Sequence, residues 1–311
     1  DQPQDGRFSF LSQTAVSTLD LAIEIRVSTL PAQNRETIVL RILNPKSLIG
    51  AEALGLRNDL LETLEKEIKK PNGMIIVTGP TGSGKTTTLY AILKKIQKPE
   101  IKIITIEDPI EYHLKDISQT QVKKGYDFSS GLKSIMRQDP DVILVGEVRD
   151  LETVQTALQA ALTGHLVLTT LHTNDAAGTI ARLTALGAAP SSIGPAVNLV
   201  IAQRLIRKVC QKCSRLKKPT ARELKKIKEE LKSKKVPENV KIPRIKGCQY
   251  CNSTGYLGRI GIFEIMLIDD EIENFILSNP TIAALKKMAI KRGMVSLKED
   301  GLMRVLEGIT T

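Results

Sequence analysis

The feature that most constrains this chain is the octapeptide at residues 79–86, which reads GPTGSGKT and matches the pattern GxxxxGK[ST] in full. An apolar segment, 74–78, precedes it, and residues 89–96 carry apolar side chains at helical spacing. A glycine-rich loop between a buried strand and an amphipathic helix binds phosphate. Its backbone N–H groups turn inward, and the helix adds its positive N-terminal end. We therefore predict an α/β fold that binds a nucleotide.

The predicted nucleotide contacts cover the loop and the first residues of the helix. Lys85 supplies a mobile positive charge to the β- and γ-phosphates, and the Thr86 hydroxyl ligates Mg²⁺. ATP and Mg²⁺ are thus the expected cofactors. The nucleotide-binding residues are Gly79, Pro80, Thr81, Gly82, Ser83, Gly84, Lys85, Thr86 and Thr87.

Short apolar runs separated by helical patterns continue beyond the loop. Strands are predicted at 74–78, 101–106, 142–145 and 166–170, and continuous apolar runs of this length suit a parallel sheet buried on both faces. Residues 193–207 are predicted to be a helix. The chain from about residue 269 is also predicted to be helical, with Ser296 and Glu299 forming a capping box.

Two acidic clusters follow predicted strands. Glu107, Asp108 and Glu111 lie at the end of strand 101–106, and Glu147 lies just past strand 142–145. A parallel sheet brings these strand ends beside the phosphate loop, where hydrolysis needs acids near the metal and the attacking water. Glu107 and Glu147 are therefore predicted to be catalytic, with Asp108 beside the nucleotide.

His165 and His172 bracket the strand at 166–170 and are two of the three histidines in the chain. Spacing alone allows a structural role for either one. Small polar residues at 169–174 favour a second interpretation, a strand end that senses the γ-phosphate. On that hypothesis His172 is a catalytic candidate and His165 a nucleotide-binding candidate.

The four cysteines form two CxxC pairs separated by 34 residues. Paired CxxC units without a secretory signal indicate reduced thiolates and a metal rather than disulfides. Four thiolates favour tetrahedral Zn²⁺ with no open ligand position, which is a structural site. The predicted ligands are Cys210, Cys213, Cys248 and Cys251.

The net charge of +11 comes from the same part of the chain. Residues 207–246 hold 16 Lys and Arg against 4 Asp and Glu, whereas the remainder has a net charge of −1. This basic insert is interpreted either as a solvated hairpin or as a contact with anionic lipid, where each basic residue contributes about 1 kcal/mol. Nucleic acid is disfavoured, because Trp is absent and only 3% of residues are aromatic.

Taken in order, these motifs resemble the secretion ATPase superfamily, whose members drive type II secretion and type IV pilus assembly. Residues 79–86 resemble its Walker A box, 104–111 its Asp box, 139–150 its Walker B box and 164–175 its His box. Further similarity lies at 3–7, 203–207 and 255–259. Pilus-retraction motors generally lack the tetracysteine motif, so the secretion and assembly branch is favoured.

The resemblance implies a RecA-like core flanked by smaller units. Residues 1–45, whose segments 21–27 and 37–43 alternate like strands, would be part of an N-terminal α+β, PAS-like domain. Residues 46–56 would be a linker, 57–206 the RecA-like ATPase domain, 207–258 the tetracysteine insert and 259–311 a helical C-terminal subdomain.

The resemblance also implies roles for individual residues. Glu147 would hold Mg²⁺ through water, and Glu107 would be the first candidate to activate the attacking water, supported by Asp108 and Glu111. Arg26 and Arg41 match arginines that reach phosphate from the N-terminal domain. One departure is Arg35-Glu36, where the family usually carries Gly-Glu.

The implied protein is a homo-hexameric ATPase at the cytoplasmic face of the inner membrane. Its expected partners are an inner-membrane platform protein and the docking protein of that platform. Two alternatives stay open: a DNA-translocating or conjugation-type hexameric ATPase, and a scaffold that binds ATP without appreciable hydrolysis. The intact acidic boxes argue against the scaffold. The boxes do not separate secretion from pilus assembly.

Overall fold

The computed structural model describes residues 2, 4–11, 22–33, 35–43, 50–231, 236–237 and 239–311. Among them the strands are β1 Gln4–Leu11, β2 Ala22–Ala32, β3 Arg35–Leu43, β4 Gly73–Thr78, β5 Ile103–Glu107, β6 Ser118–Gln121, β7 Val142–Val145, β8 Leu166–Leu171, β9 Val197–Val209, β10 Ser214–Lys217, β11 Ile242–Ile245 and β12 Tyr256–Leu267. The helices are α1 Asn58–Glu67, α2 Lys85–Ile96, α3 Phe128–Ile135, α4 Leu151–Leu162, α5 Ala176–Ala185, α6 Pro190–Ala196, α7 Ala221–Glu230, α8 Asp270–Leu277, α9 Ile282–Lys291 and α10 Leu297–Leu306.

A seven-stranded sheet with the order β12-β9-β4-β8-β7-β5-β6 forms the centre of the molecule. All its pairs are parallel except β12–β9. The predicted strands at 74–78, 101–106, 142–145 and 166–170 are confirmed as β4, β5, β7 and β8, with small shifts at their ends. The α/β fold class is therefore confirmed.

Two apolar cores lie on opposite faces of this sheet. Along β4, Met74 and Ile76 join the core under α3–α6, while Ile75 and Val77 join the core under α1 and α2. Successive side chains of a strand point to opposite faces, so both positions must be apolar when helices cover both sides. This burial on both faces accounts for the continuous apolar runs in the sequence.

The predicted helix over residues 193–207 is wrong. Helix α6 ends at Ala196, and the chain continues as strand β9, between β4 and β12. Apolar runs that are buried on both faces do not distinguish a strand from a helix by periodicity, and the β-branched residues Val200 and Ile201 favour the strand. Residues 259–267, which fall in the predicted helical C-terminal unit, likewise form most of β12.

The C-terminal helices follow the prediction. α8, α9 and α10 occupy the chain beyond residue 269, and the capping box of Ser296 and Glu299 is present at the start of α10. The basic insert contains the short antiparallel pair β10–β11, and α7 lies between these two strands in the sequence. Ile227 and Leu231 of this insert pack against Val295 and Met303, so α7 is anchored on α10 by an apolar contact.

The N-terminal strands form a separate antiparallel sheet with the order β1-β2-β3. Strands β2 and β3 cover most of the two predicted segments, and β1 is an element that the sequence patterns did not single out. Leu21 and the predicted end of this unit at Asn44-Pro45 lie outside the described residues. Arg35 has φ 96°, a left-handed conformation that glycine adopts freely, which explains why glycine is usual at this position.

Candidate active site

A cavity of about 580 Å³ opens at the carboxyl ends of the parallel strands. It is formed by the loops after β4, β5, β7 and β8, together with the end of β3. This volume falls within the range of small-molecule sites in proteins. The predicted site residues that line it are Arg41, Thr81, Gly82, Gly84, Lys85, Thr86, Thr87, Glu107, Asp108, Glu111, Glu147 and His172.

The phosphate loop has a backbone conformation that requires glycine. Gly79 has φ 151°, and a Cβ there would lie 2.6 Å from the Gln203 carbonyl oxygen. Gly84 has φ 90°, and a Cβ there would lie 2.9 Å from the side-chain Nε2 of Gln203. A side chain at Gly79 would therefore push the loop away from the main chain of β9, and one at Gly84 would strain the backbone at the positive φ.

Polar groups in the loop fit an anionic ligand. Lys85 Nζ donates to the carbonyl oxygens of Gly79 at 2.9 Å and Pro80 at 3.3 Å. Burial lowers the pKa of Lys85; nearby Arg204 lowers it further and Glu147 opposes the shift. Ser83 is 3% exposed, and its Oγ has no hydrogen-bond partner among the described residues. An unpaired hydroxyl and a cationic amine at a helix N-terminus are suited to bind a chain of phosphate groups.

Glu107, at the end of β5, is held by three hydrogen-bond donors. Thr105 Oγ1 donates to Oε1 at 2.7 Å, Gln119 Nε2 donates to the same oxygen at 3.2 Å, and the Tyr90 hydroxyl donates to Oε2. The side chain is 3% exposed and still borders the cavity. The carboxylate is therefore fixed in position beside the space where a nucleotide would lie.

Glu147 has a different environment. Its carboxylate forms an ion pair with Arg149, and His172 Nε2 lies 3.8 Å from Oε2. The ion pair raises the pKa of Arg149, whereas burial and the nearby Lys85 lower the pKa of His172 despite the opposing effect of Glu147. Glu147 thus sits among charged groups that face the cavity.

Threonine hydroxyls connect the strand ends behind these acids. Thr78 Oγ1 lies 2.7 Å from Thr173 Oγ1, which lies 3.0 Å from Thr179 Oγ1. Thr170 Oγ1 donates to the Gly146 carbonyl oxygen at 2.8 Å, directly before Glu147. The small polar groups after β8 therefore tie the histidine segment to both the phosphate loop and the Glu147 loop.

Arginines of the N-terminal sheet approach the same region. Cross-strand register pairs Arg7 with Arg26 and Arg26 with Arg41, so the three form a row. Arg41 lines the cavity at the strand ends. Arg26 lines a neighbouring cavity, with its NH1 atom 3.9 Å from Glu111 Oε1. Arg7 NH1 donates to the Ile110 carbonyl oxygen at 3.2 Å.

The structure does not bring His165 to the cavity. It precedes β8, at the opposite edge of the sheet, where its carbonyl oxygen accepts from the Gly73 N–H at 3.2 Å. Its Nδ1 lies 3.1 Å from the Ala160 carbonyl oxygen. The six residues of β8, at about 3.3 Å each, separate His165 from the phosphate loop.

The four cysteines form a second candidate site, a metal centre. All four Sγ atoms lie within 4.8 Å of one another, and three of the Sγ–Sγ distances are 3.7, 3.8 and 3.9 Å. A tetrahedral ion with bonds of about 2.3 Å places its sulfurs about 3.8 Å apart. Burial disfavours ionisation of Cys251, but the N–H groups of Cys248 and Gly255 donate to its sulfur, and its pKa falls to about 6.

The sequence patterns did not single out Tyr90 or Gln119, and they gave Gln203 no role beyond its place in the similar segment 203–207. Tyr90 and Gln119 hold Glu107, and buried Gln203 accepts from Thr88 Oγ1 at 2.7 Å while its main chain limits the space around Gly79. Tyr90 was predicted only as part of a helix with an apolar face. A polar group at an otherwise apolar position of the helix after the phosphate loop is the signal that could have identified it.

A sequence model of the family described as Type II/IV secretion system protein matches residues 2–311. The chain is 42% identical over 312 residues to the type IV pilus assembly ATPase PilB of Thermus thermophilus and 43% identical over 312 residues to the type II secretion system ATPase E of Vibrio cholerae. Each alignment covers 99% of this chain. The chain spans 34% of the length of the first relative and 60% of the second.

Solved structures share the fold. The pilus retraction motor PilT with bound ADP aligns with 95% of this chain and 76% of its own at a TM-score of 0.63 and 28% identity. The ATPase DotB of Legionella pneumophila aligns with all of this chain and 75% of its own at a TM-score of 0.69. At 22% identity, the second likeness concerns the fold alone.

Within the part of the chain that the structure describes, none of the helices combines the length and the apolar character needed to cross a bilayer.

Proposed function

The chain belongs to the family of Type II/IV secretion system proteins, and on that basis we propose that it hydrolyses ATP to ADP and phosphate to drive type II secretion or type IV pilus assembly. The observation that carries this proposal is the composition of one cavity. Lys85 and Thr86 line it from the phosphate loop, Glu107 and Glu147 line it from two further strand ends, and Arg41 lines it from the N-terminal sheet.

Each group has a role in this proposal. Lys85 and Arg41 neutralise phosphate charge, with Arg26 one position along the same row. The Thr86 hydroxyl and, through water, Glu147 would hold Mg²⁺. When bound, the ion neutralises charge that develops on the phosphates. Glu107 accepts a proton from the attacking water, and His172 faces the cavity beside Glu147.

The proposed assembly follows the family. Residues 57–206 would form the ATPase unit together with β12, which completes its sheet, and six copies would form a ring at the cytoplasmic face of the inner membrane. The platform protein and its docking protein would receive the motion produced by hydrolysis. A sedimentation measurement with ATP and Mg²⁺ tests the ring, because a hexamer is expected and a monomer would contradict it.

We also propose that the four cysteines hold one structural Zn²⁺. The spacing of their sulfurs supports this assignment, because it equals that of a tetrahedral thiolate site. Cys210 and Cys213 follow β9, while Cys248 and Cys251 precede β12. The ion would therefore hold the two ends of the insert together, where the chain leaves β9 and where it enters β12.

The test of the proposed function is steady-state ATP hydrolysis with and without duplex DNA. We expect Mg²⁺-dependent turnover that Lys85→Ala abolishes and that DNA leaves unchanged. Lys94→Ala is the matched control, since Lys94 lies on the exposed side of the same helix. Turnover that survives Lys85→Ala would refute the site, and a large, salt-sensitive stimulation by DNA would favour the DNA-translocating alternative.

A further inference from the structure

We propose that Tyr90 is a positioning residue for hydrolysis, because its hydroxyl fixes the orientation of the Glu107 carboxylate toward the nucleotide cavity. The inference deepens the proposed function and rests on it, since it concerns the acid assigned there to the attacking water. Tyr90 belongs to α2, the helix that begins at Lys85. It would thus connect the element that binds phosphate to the group that accepts the proton.

The contact between the two side chains is buried. Tyr90 is 2% exposed and Glu107 is 3% exposed, and the Tyr90 hydroxyl donates to Glu107 Oε2. Burial, followed by the nearby Glu107 charge, raises the pKa of the Tyr90 phenol. Tyr90 therefore remains a hydrogen-bond donor at neutral pH, and its hydroxyl has a carboxylate as its acceptor.

The hydrogen bonds that Glu107 accepts leave its carboxylate few free acceptor positions. A carboxylate has about four lone-pair directions. Thr105 and Gln119 donate to Oε1, and Tyr90 donates to Oε2. One acceptor direction thus remains on the oxygen that Tyr90 holds, and Glu107 borders the cavity. By holding Oε2 in place, Tyr90 determines the direction from which Glu107 can accept one further hydrogen bond.

The ring of Tyr90 is itself held in place. Tyr112 packs against it edge to face, with the ring centroids 6.3 Å apart, and both rings border the cavity. Besides Glu107, the charged groups that line the same cavity are Lys85, Arg41, Arg149, Arg259, Asp108, Glu111 and Glu147. Replacing only the hydroxyl of Tyr90 leaves these charges and the ring packing in place. It removes the hydrogen bond to Glu107 together with those between the hydroxyl and the main chain at Tyr112 and Glu111.

The first test is Tyr90→Phe in the full chain. Because the acid would lose its orientation while the phosphate contacts remain, we expect kcat to fall between about tenfold and a hundredfold with the KM for ATP unchanged. Thermal unfolding should shift by no more than a few degrees. Tyr126→Phe is the control: its hydroxyl lies 3.4 Å from Thr120 and it does not line the cavity, so kcat should not change.

A double-mutant cycle separates positioning from a general structural role. If Tyr90 acts through Glu107, Tyr90→Phe should have no further effect on kcat in a Glu107→Gln background. Equal fold-losses in both backgrounds, or a wild-type kcat for Tyr90→Phe while Glu107→Gln is inactive, would overturn the inference and leave the proposed function intact. Full activity of Glu107→Gln would instead refute the role of Glu107 on which the inference rests.

Discussion

Glu107 and Glu147 end adjacent strands of one sheet, but their surroundings differ. Glu107 is buried and accepts from three neutral donors, whereas Glu147 is paired with Arg149 and lies near His172. The buried, fixed carboxylate suits a group that orients one water molecule. The carboxylate beside an arginine and a histidine that face the cavity suits a group that holds a metal through water. These surroundings support different roles for two residues that the sequence presents alike.

Both acids could be predicted from the sequence, because the ends of apolar strands in a parallel sheet meet beside the phosphate loop. The groups that orient them could not. Tyr90 lies 17 residues from Glu107 and Gln119 lies 12 residues away, and nothing in local spacing connects residues on a helix and two strands. The prediction that placed His165 beside the nucleotide failed for a different reason: His165 precedes its strand, and a residue that precedes a parallel strand lies at the edge of the sheet opposite the site.

Asp175 gives a prediction at the residue scale. It caps α5, accepting from the Gly178 N–H at 2.9 Å, and pairs with Lys286 Nζ at 2.8 Å. Burial works against its charge, but the Lys286 contact and the N–H group outweigh burial and lower its pKa. A carboxyl group whose folded pKa is lowered stabilises the fold above its ordinary pKa, and the stabilisation is lost as the pH falls through the folded pKa.

We therefore expect Asp175→Asn to reduce the free energy of unfolding by about 1 kcal/mol at pH 7, because asparagine keeps the cap but loses the ion pair. The difference should begin to shrink as the pH falls below about 3.9, the ordinary pKa of aspartate, and should vanish below the lowered pKa of folded Asp175. Urea unfolding across this pH range measures it, with exposed Asp270→Asn as the control. A destabilisation that persists unchanged at low pH would show that the charge is not the cause.

At the scale of elements, β9 and β12 show where sequence patterns were ambiguous. The two strands pair over residues 199–207 and 259–267, although neither was predicted as a strand. In β9 the apolar residues cover both faces, which is also compatible with a buried helix. The nature of the element is decided by its partners β4 and β12, which are distant in sequence. The phosphate loop, by contrast, was predictable because all of its determinants are adjacent.

The metal centre gives a prediction at this scale. Cys248→Ser should remove the bound Zn²⁺, and the insert between the two CxxC pairs should become sensitive to protease, since structural zinc contributes folding free energy. The central sheet should persist, because β9 and β12 remain paired over ten residue pairs. Zinc content and limited proteolysis measure both effects, with Ser214→Ala as the control. One zinc per chain retained in Cys248→Ser would contradict the assignment.

At the scale of the whole molecule, the cavity draws on segments from residue 41 to residue 259. Its floor is the carboxyl edge of one sheet, and Arg41 reaches it from another. A nucleotide bound there would contact both sheets at once. Under the proposed function, hydrolysis would therefore change the position of the N-terminal sheet relative to the ATPase unit.

The central claim is that the acids around this cavity carry out hydrolysis. Its most direct test measures ATP binding and ATP turnover together in Glu147→Gln. Glu152→Gln is the control, because Glu152 is an exposed glutamate of α4 that pairs with Lys133. We predict that Glu147→Gln still binds ATP but turns it over at least about a hundredfold more slowly, while Glu152→Gln behaves as wild type. Unchanged turnover in Glu147→Gln would contradict the account.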